Sequence, residues 1–478
     1  MEHQQNFAFS YSDHVLPSTA THIRLVRLHP SIPSTASESG DLHFSSRLSC
    51  DLVITPISKP GAYKALSYTW GTSQRPSSLD ISGTSFPITS ALDAALRYIR
   101  SRQEPIVLWV DQICIDQENS AEKEAQVLLM SDVYTKAEQV LVWLGPEADR
   151  SDKLMDMWQN VGQRARDLGI EEYFTRERML ELQAVMADPL LEHALARPCH
   201  GLIDMASPWF EDLLHAIVHW NERPWFHRVW TVQELCLCSN TVFICGYKTV
   251  QVELVWLACT VMSAATRKSI RSHPHTDTEF MELAYKAECH RTGPLMSIQH
   301  RRQNFSKNLG TGDELFHLFR KLFVEGDTMA TRNRDRIYGL LGLAIDSEKL
   351  GIKPDYTSDD PSTIFTSVAR RMIQSGRVEM LSFSQFPKED GLKHLPSWVP
   401  DWRPMLVPSY YTITESAENH LLAASGDKKV HVETVQDSDV LGIGGYLVDT
   451  VEEVGETWHY GDPHPITHGI LKGTWLLS

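Results

Sequence analysis

The chain has 478 residues, 42% of them hydrophobic, with 45 Lys and Arg set against 61 Asp and Glu. That length suits two or three domains with real cores, and a formal charge of −16 argues against a nucleic-acid or anionic-membrane partner, since both need clustered cations. The N-terminus, MEHQQNFAFSYSDH, has neither a basic n-region nor an apolar h-region, and no apolar run approaches the ~18–20 residues that span a bilayer, so a soluble, cytoplasmic chain is expected, its eight cysteines thiols.

In chain order, residues 1–20 read as a loose tail, His22 to Leu28 as a first strand, and the Ser/Pro-rich His29 to Gly40 as a loop. Ala65 to Trp70 reads as a strand, Thr89 or Ser90 as the cap of a helix carrying Leu92, Ala95, Leu96 and Ile99, and Ile106 to Val110 as the next strand. Asn119 with Glu122 three residues on makes a capping box, and Val127, Met130, Val133, Tyr134 and Ala137 give that helix one apolar face. Val140 to Leu144 is nearly all apolar, as in a parallel strand covered on both faces, and Gly145–Pro146 closes it. Strands alternating with helices predict an α/β fold with a doubly wound parallel sheet.

From 147 to 221 the pattern weakens into charged helical segments, read as a helical insertion. A helix is then expected from Pro224, and a strand from Thr241 to Tyr247. Gly310 to Gly312 marks a loop, Leu315–Phe323 and Arg336–Leu343 read as helical, and the region from 351 mixes the helix Thr363–Ile373 with strands at Val430–Thr434 and Val440–Ile443. The division expected is thus a domain over 21–250, a helical region over 251–350 and a mixed α+β region over 351–478. The chain stops soon after those last strands, so its final domain reads as incomplete.

In an open parallel sheet, ligands sit at the carboxyl ends of strands. Ser67 through Gly71, Asp111 and Gly145 fall at such ends, and Asp111 either projects into that crevice or caps the next turn. On the helix expected from Pro224, Phe226, Trp230 and Gln233 or Glu234 recur at spacings of three and four, placing a carboxylate beside two aromatics. Such an acid is disposed toward proton transfer or cation stabilisation; the alternative is a salt bridge to Arg228 or Arg223.

Other motifs fail. His215 and His219 have metal-ligand spacing, but Ala216 stands where HExxH needs glutamate, so they read as a packed pair. Cys236, Cys238 and Cys245 read as small apolar residues of a helix end and the following strand, and Cys114 in its ICI context as a buried small residue. GxGxxG, GxxxxGK[ST] and GxSxG do not occur.

Three blocks, YKALSYTWG (63–71), LWVDQICIDQ with Glu124, Met130, Tyr134 and Ala137 and then VLVWLG, and RPWFHRVWTVQE (223–234), resemble in order and spacing the fungal heterokaryon incompatibility (HET) domain. RNRDRIYGLLGLA (332–344), KPDYT (353–357) and LPSWVPDW (395–402) resemble the region that follows such domains. One departure is Thr72 and Ser73 after the first block, where the family often has an acidic residue, so no ligand role carries over to that position. Similar proteins tend to continue past the point where this chain ends.

The resemblance implies a part in nonself recognition and regulated cell death, and a distant similarity to TIR domains, some of which cleave NAD. It gives Glu234 the catalytic place, ALSY the first and LWVD the second TIR-like strand. In an NAD-cleaving enzyme, Ser67, Trp70, Gly71, Asp111 and Trp230 would surround the dinucleotide as substrate, with Ser67 and Asp111 on hydroxyls and Trp70 or Trp230 stacked on a ring. The alternative is a non-catalytic signalling module whose aromatic blocks are core and whose surfaces bind protein partners or self-associate. Trp70, Trp109, Trp143 and Trp230 are expected to be buried in one cluster.

Overall fold

A computed structural model describes residues 9–31, 46–272 (except 175, 189 and 208), 278–289, 313–357 (except 325–327), 360–384, and beyond these 388, 391–392, 394–403, 406, 432–434 and 440–443. The loop expected at Gly310 to Gly312 and most of the Ser/Pro-rich segment after Ser31 lie outside the described residues. Two compact units divide the chain, 1–360 and 361–478.

The first unit is built on a nine-stranded mixed sheet. Its strands are β1 (His22–Leu28), β2 (Ser49–Pro56), β3 (Lys64–Tyr68), β4 (Ser77–Ile81), β5 (Thr84–Ile88), β6 (Ile106–Trp109), β7 (Gln139–Trp143), β8 (Thr241–Cys245) and β9 (Lys248–Gln251), in the spatial order β5-β4-β2-β1-β6-β3-β7-β8-β9. Strands β6, β3, β7 and β8 run parallel, so the strands expected at Ala65, Ile106 and Val140 do share one parallel sheet. The fold is α/β, but the sheet is not parallel throughout: β1 is antiparallel to both β2 and β6, β4 to β5, and β8 to β9. The hairpin of β4 and β5, SSLDI and TSFPI, buries two apolar residues per strand at alternate positions, Leu79 and Ile81 facing Phe86 and Ile88, a period-2 pattern only two residues deep in each strand.

Helices cover the sheet. In chain order they begin with α1 (Ser90–Ile99), the one-turn α2 (Asp111–Cys114), α3 (Ser120–Lys136) and α4 (Ser151–Asp167). After these come α5 (Arg176–Ala187), α6 (Ala196–His200), α7 (Trp209–Asn221) and α8 (Trp230–Cys236), then α9 (Val252–Ser272), α10 (Thr278–Cys289), α11 (Leu315–Phe319), α12 (Asp335–Leu341) and α13 (Ser347–Leu350). Thr89 caps α1 by accepting from Leu92 N, and Asn119 caps α3 by accepting from Glu122 N, so both predicted starts hold. The Glu122 carboxylate does not complete the box. It turns instead to Arg24 on β1, with contacts of 2.5 and 3.0 Å, in a buried bidentate pair that also accepts from Asp116 N. Gln126 is likewise buried on α3, donating to Thr19 O and His22 O, so that face of the helix is partly polar.

Residues 9–20 differ from the loose segment their composition suggests. Tyr11–His14 form a 3-10 turn, the Tyr11 hydroxyl donates to Ile113 O at 2.9 Å, and Phe9 packs edge-on to Phe86. Between β7 and β8 the chain runs through α4 to α8. Helix α9 crosses α4 so closely that a Cβ on Gly162 would sit 2.3 Å from Leu254 O. In the second unit, α14 (Pro361–Gln374) places Phe365 edge-on to Trp402, and β10 (Val432–Thr434) pairs antiparallel with β11 (Leu441–Ile443).

Candidate functional site

Strand β3 lies between β6 and β7. Its outgoing connection leads to one side of the sheet and that of β7 to the other, so the carboxyl end of β3 is where a switch-point crevice belongs. Ser67, 1% exposed, stands one residue before that end. Its Oγ donates to Glu234 Oε2 and accepts from Trp225 Nε1 at 2.7 Å. With the indole donating to the hydroxyl oxygen, the Ser67 proton is aimed at the carboxylate.

Asp111 opens α2 at the tip of β6. Its Oδ2 accepts from Trp70 Nε1 at 2.8 Å and its Oδ1 from Gln112 N at 2.7 Å, while the Tyr68 hydroxyl donates to Gln112 Oε1 at 3.5 Å. Asp111 thus lies at the strand tip in the first turn of α2, whose N-cap, Val110, makes no side-chain cap bond. Arg228 donates to Tyr68 O and lies within electrostatic reach of Asp111 and Glu234.

Burial sets the charge state of this cluster. Glu234, 3% exposed, has its carboxyl pushed up to about 7, chiefly by desolvation, with Arg228 and the Ser67 hydrogen bond opposing and Asp111 adding. Asp111 is raised by the same cause, against Arg228, Trp70, Gln112 and Tyr68. Neither arginine weighed as a salt-bridge partner contacts Glu234: Arg223 donates to Leu144 O at 2.6 Å and Arg228 to Tyr68 O. Glu234 is therefore a hydroxyl-bonded, partly compensated buried acid.

Several expectations change here. The single helix expected from Pro224 is a 3-10 turn, Pro224–His227, followed after extended Arg228 by α8, so Phe226 does not share a helical face with Trp230 and Glu234. The break comes from the pairing of this segment with Met329: Val229 N donates to Met329 O at 2.9 Å and Met329 N to His227 O at 2.5 Å. Trp230 is half-buried, and Trp70 is half-buried with its indole on Asp111. Trp109 packs edge-on to Tyr134, and Trp143 against Tyr98, which meets Tyr247. The four tryptophans thus form separate contacts instead of one cluster. Gly71, exposed, takes a left-handed turn (φ +73°) past the end of β3, a conformation that favours glycine. His215 and His219 are exposed on α7 and not packed together; His219 meets Glu222. Cys114, Cys236, Cys238 and Cys245 are buried, as read.

By sequence alone Trp225, one aromatic within RPWFHRVW, reads as core. Only the indole N–H, bonded to a hydroxyl 158 residues away, reveals its part in the site.

The fold and site define an α/β protein with a buried acidic cluster at the switch point of a mixed sheet. A profile of the family described as Heterokaryon incompatibility protein (HET) matches residues 63–234, from the strand that carries Ser67 to Glu234 itself. The chain is 34% identical over 487 residues to Heterokaryon incompatibility protein 6, OR allele, of Neurospora crassa, an alignment covering 94% of this chain and 67% of that protein. The chain belongs to the heterokaryon incompatibility protein family. No solved structure matches it at a significant level. Among the described residues, no helix is long and apolar enough to cross a membrane.

Proposed function

We propose that the chain serves nonself recognition and regulated cell death, and that its HET domain contributes by cleaving the nicotinamide–ribose bond of NAD with Glu234 as the catalytic carboxylate. The observation that carries this reading is the Glu234 carboxyl itself: buried, pushed up to about 7, and hydrogen-bonded to Ser67 at the carboxyl end of the central strand. A carboxylate in a water-poor site stabilises a developing cation far better than one in bulk solvent. As the C1′–N bond breaks, its electron pair leaves on the nicotinamide nitrogen and positive charge grows on the ribose, facing the carboxylate. Water then adds to C1′ and gives up one proton, which Glu234 can accept. Ser67 and Asp111 bind ribose hydroxyls, and Trp70 or Trp230 supplies a ring face.

The test is release of nicotinamide from NAD by the purified protein. Cleavage should fall at least ~100-fold in Glu234→Gln, as loss of a preorganised charge requires. Because the carboxylate is the working form, activity should decline as pH drops below about 7. Undiminished cleavage by a folded Glu234→Gln protein, or none by the wild type, refutes the reading. The 3% exposure of Glu234 favours a second reading, a non-catalytic module in which Glu234, Ser67 and Trp225 are a core network; full toxicity of a stably folded Glu234→Gln chain in cells would support it.

A further inference from the structure

The hydrogen bond between Trp225 and Ser67 has a direction that follows from chemistry alone. An indole nitrogen can only donate, so the 2.7 Å contact runs from Trp225 Nε1–H to Ser67 Oγ at every pH. A serine hydroxyl carries one proton and two lone pairs. With one lone pair taken by the indole, the proton is left for Glu234 Oε2, the other partner of the same oxygen.

Packing holds the donor in place. Trp225 is 1% exposed in the 3-10 turn Pro224–His227, and its ring lies edge-on to Phe226 at 5.2 Å and to Phe243 of β8 at 5.6 Å, at interplanar angles of 89° and 85°. Rings crossed at near right angles on an indole restrict its rotation, so its N–H stays directed at Ser67. Other groups act on the Glu234 carboxyl directly: Arg228 favours its ionised form, Asp111 at the tip of β6 favours the protonated form, and the Tyr134 phenol of α3 lies in its field. Trp225 reaches the carboxyl by a different route, through the hydroxyl.

We propose that Trp225 is a positioning residue for Glu234: its indole N–H orients the Ser67 hydroxyl so that the hydroxyl proton rests on the carboxylate and holds it in its ionised, working form. This rests on the reading of Glu234 as the cleaving carboxylate. A hydrogen bond to the charged form of an acid favours that form, and in a dry site it is strong. Without the indole, the hydroxyl is free to turn its proton elsewhere, and the buried carboxylate takes up a proton more readily.

Nicotinamide release by the whole chain, followed against pH, tests this. Trp225→Phe keeps a ring beside Phe226 and Phe243 but has no N–H, and should move the acid limb of the profile up by roughly one pH unit, the size of one charged hydrogen bond. Ser67→Ala should give a shift of the same sign. Trp225→Phe added to Ser67→Ala should shift the limb no further, because the indole acts only through the hydroxyl. In the wild type, the Trp225 indole proton, followed by heteronuclear NMR, should titrate in step with Glu234 at about 7 and lose that step in Glu234→Gln. Additive shifts in the double variant, or an unmoved acid limb in a Trp225→Phe protein of native melting temperature, overturn the assignment; should that variant not fold, a wild-type indole proton indifferent to pH between about 5 and 9 overturns it instead. An indole proton that titrates with Glu234 in a wild type that releases no nicotinamide would sink the cleavage reading and leave the positioning role standing.

Discussion

Replacing Glu234 by glutamine should flatten part of the pH dependence of stability, whatever the protein's activity. Folding raises this carboxyl from an ordinary 4.5 to about 7, so the folded state holds the proton more tightly than the unfolded state does. The associated stabilisation is therefore fully present below pH 4.5 and is lost as pH rises through about 7. Its size, taken across that interval at 1.36 kcal/mol per pH unit, is on the order of 3 kcal/mol. Glutamine keeps a carbonyl oxygen to accept from Ser67 but cannot ionise, and any hydrogen bond its amide lacks would shift stability by the same amount at every pH. Asp111 and Asp335 are raised in both proteins, and their contributions cancel to first order in the comparison. Urea unfolding of both proteins between pH 5 and 8 should show the variant gaining about 2 to 3 kcal/mol on the wild type as pH rises. Parallel stability profiles would refute the assignment of this burial penalty to Glu234.

Two further substitutions test the packing. Trp143→Ala removes a side chain that is 4% exposed and lies against Tyr98, and should cost about 3 to 5 kcal/mol in urea unfolding; an unchanged melting temperature would exclude a core role. Gly162→Ala puts a methyl group 2.3 Å from Leu254 O and should force α4 and α9 apart at about 1 to 3 kcal/mol, so retention of full stability would disprove that close approach.

What the sequence determined by itself was local. A run of alternating and apolar residues defined β1 at its observed bounds, Val140 to Leu144 announced a strand buried on both faces, and the side chains of Thr89 and Asn119 marked two helix starts. These features depend on side-chain periodicity and on hydrogen bonds to backbone groups three residues away, so a short window contains their causes. The aromatic blocks also pointed to Ser67, Asp111 and Glu234 at one end of one sheet, because a parallel strand's carboxyl end and the helix that follows carry their own patterns.

Tertiary structure decided what each group meets. The antiparallel pairing of β1 with β6 makes the sheet mixed, and no residue of either strand encodes which neighbour it will find. The helix at Pro224 breaks at Arg228 because Met329, a hundred residues later, pairs with the backbone there. Glu122 leaves its own helix cap for Arg24, where a buried guanidinium offers two donors in place of one backbone N–H. Ser67, Trp225 and Glu234 become one hydrogen-bonded chain only when β3 and α8 are packed together, and the burial that pushes Glu234 up to about 7 is a property of that packing alone. Desolvation depends on every atom surrounding the carboxyl, most of them distant in sequence, so the residue type could be read locally while its proton affinity could not.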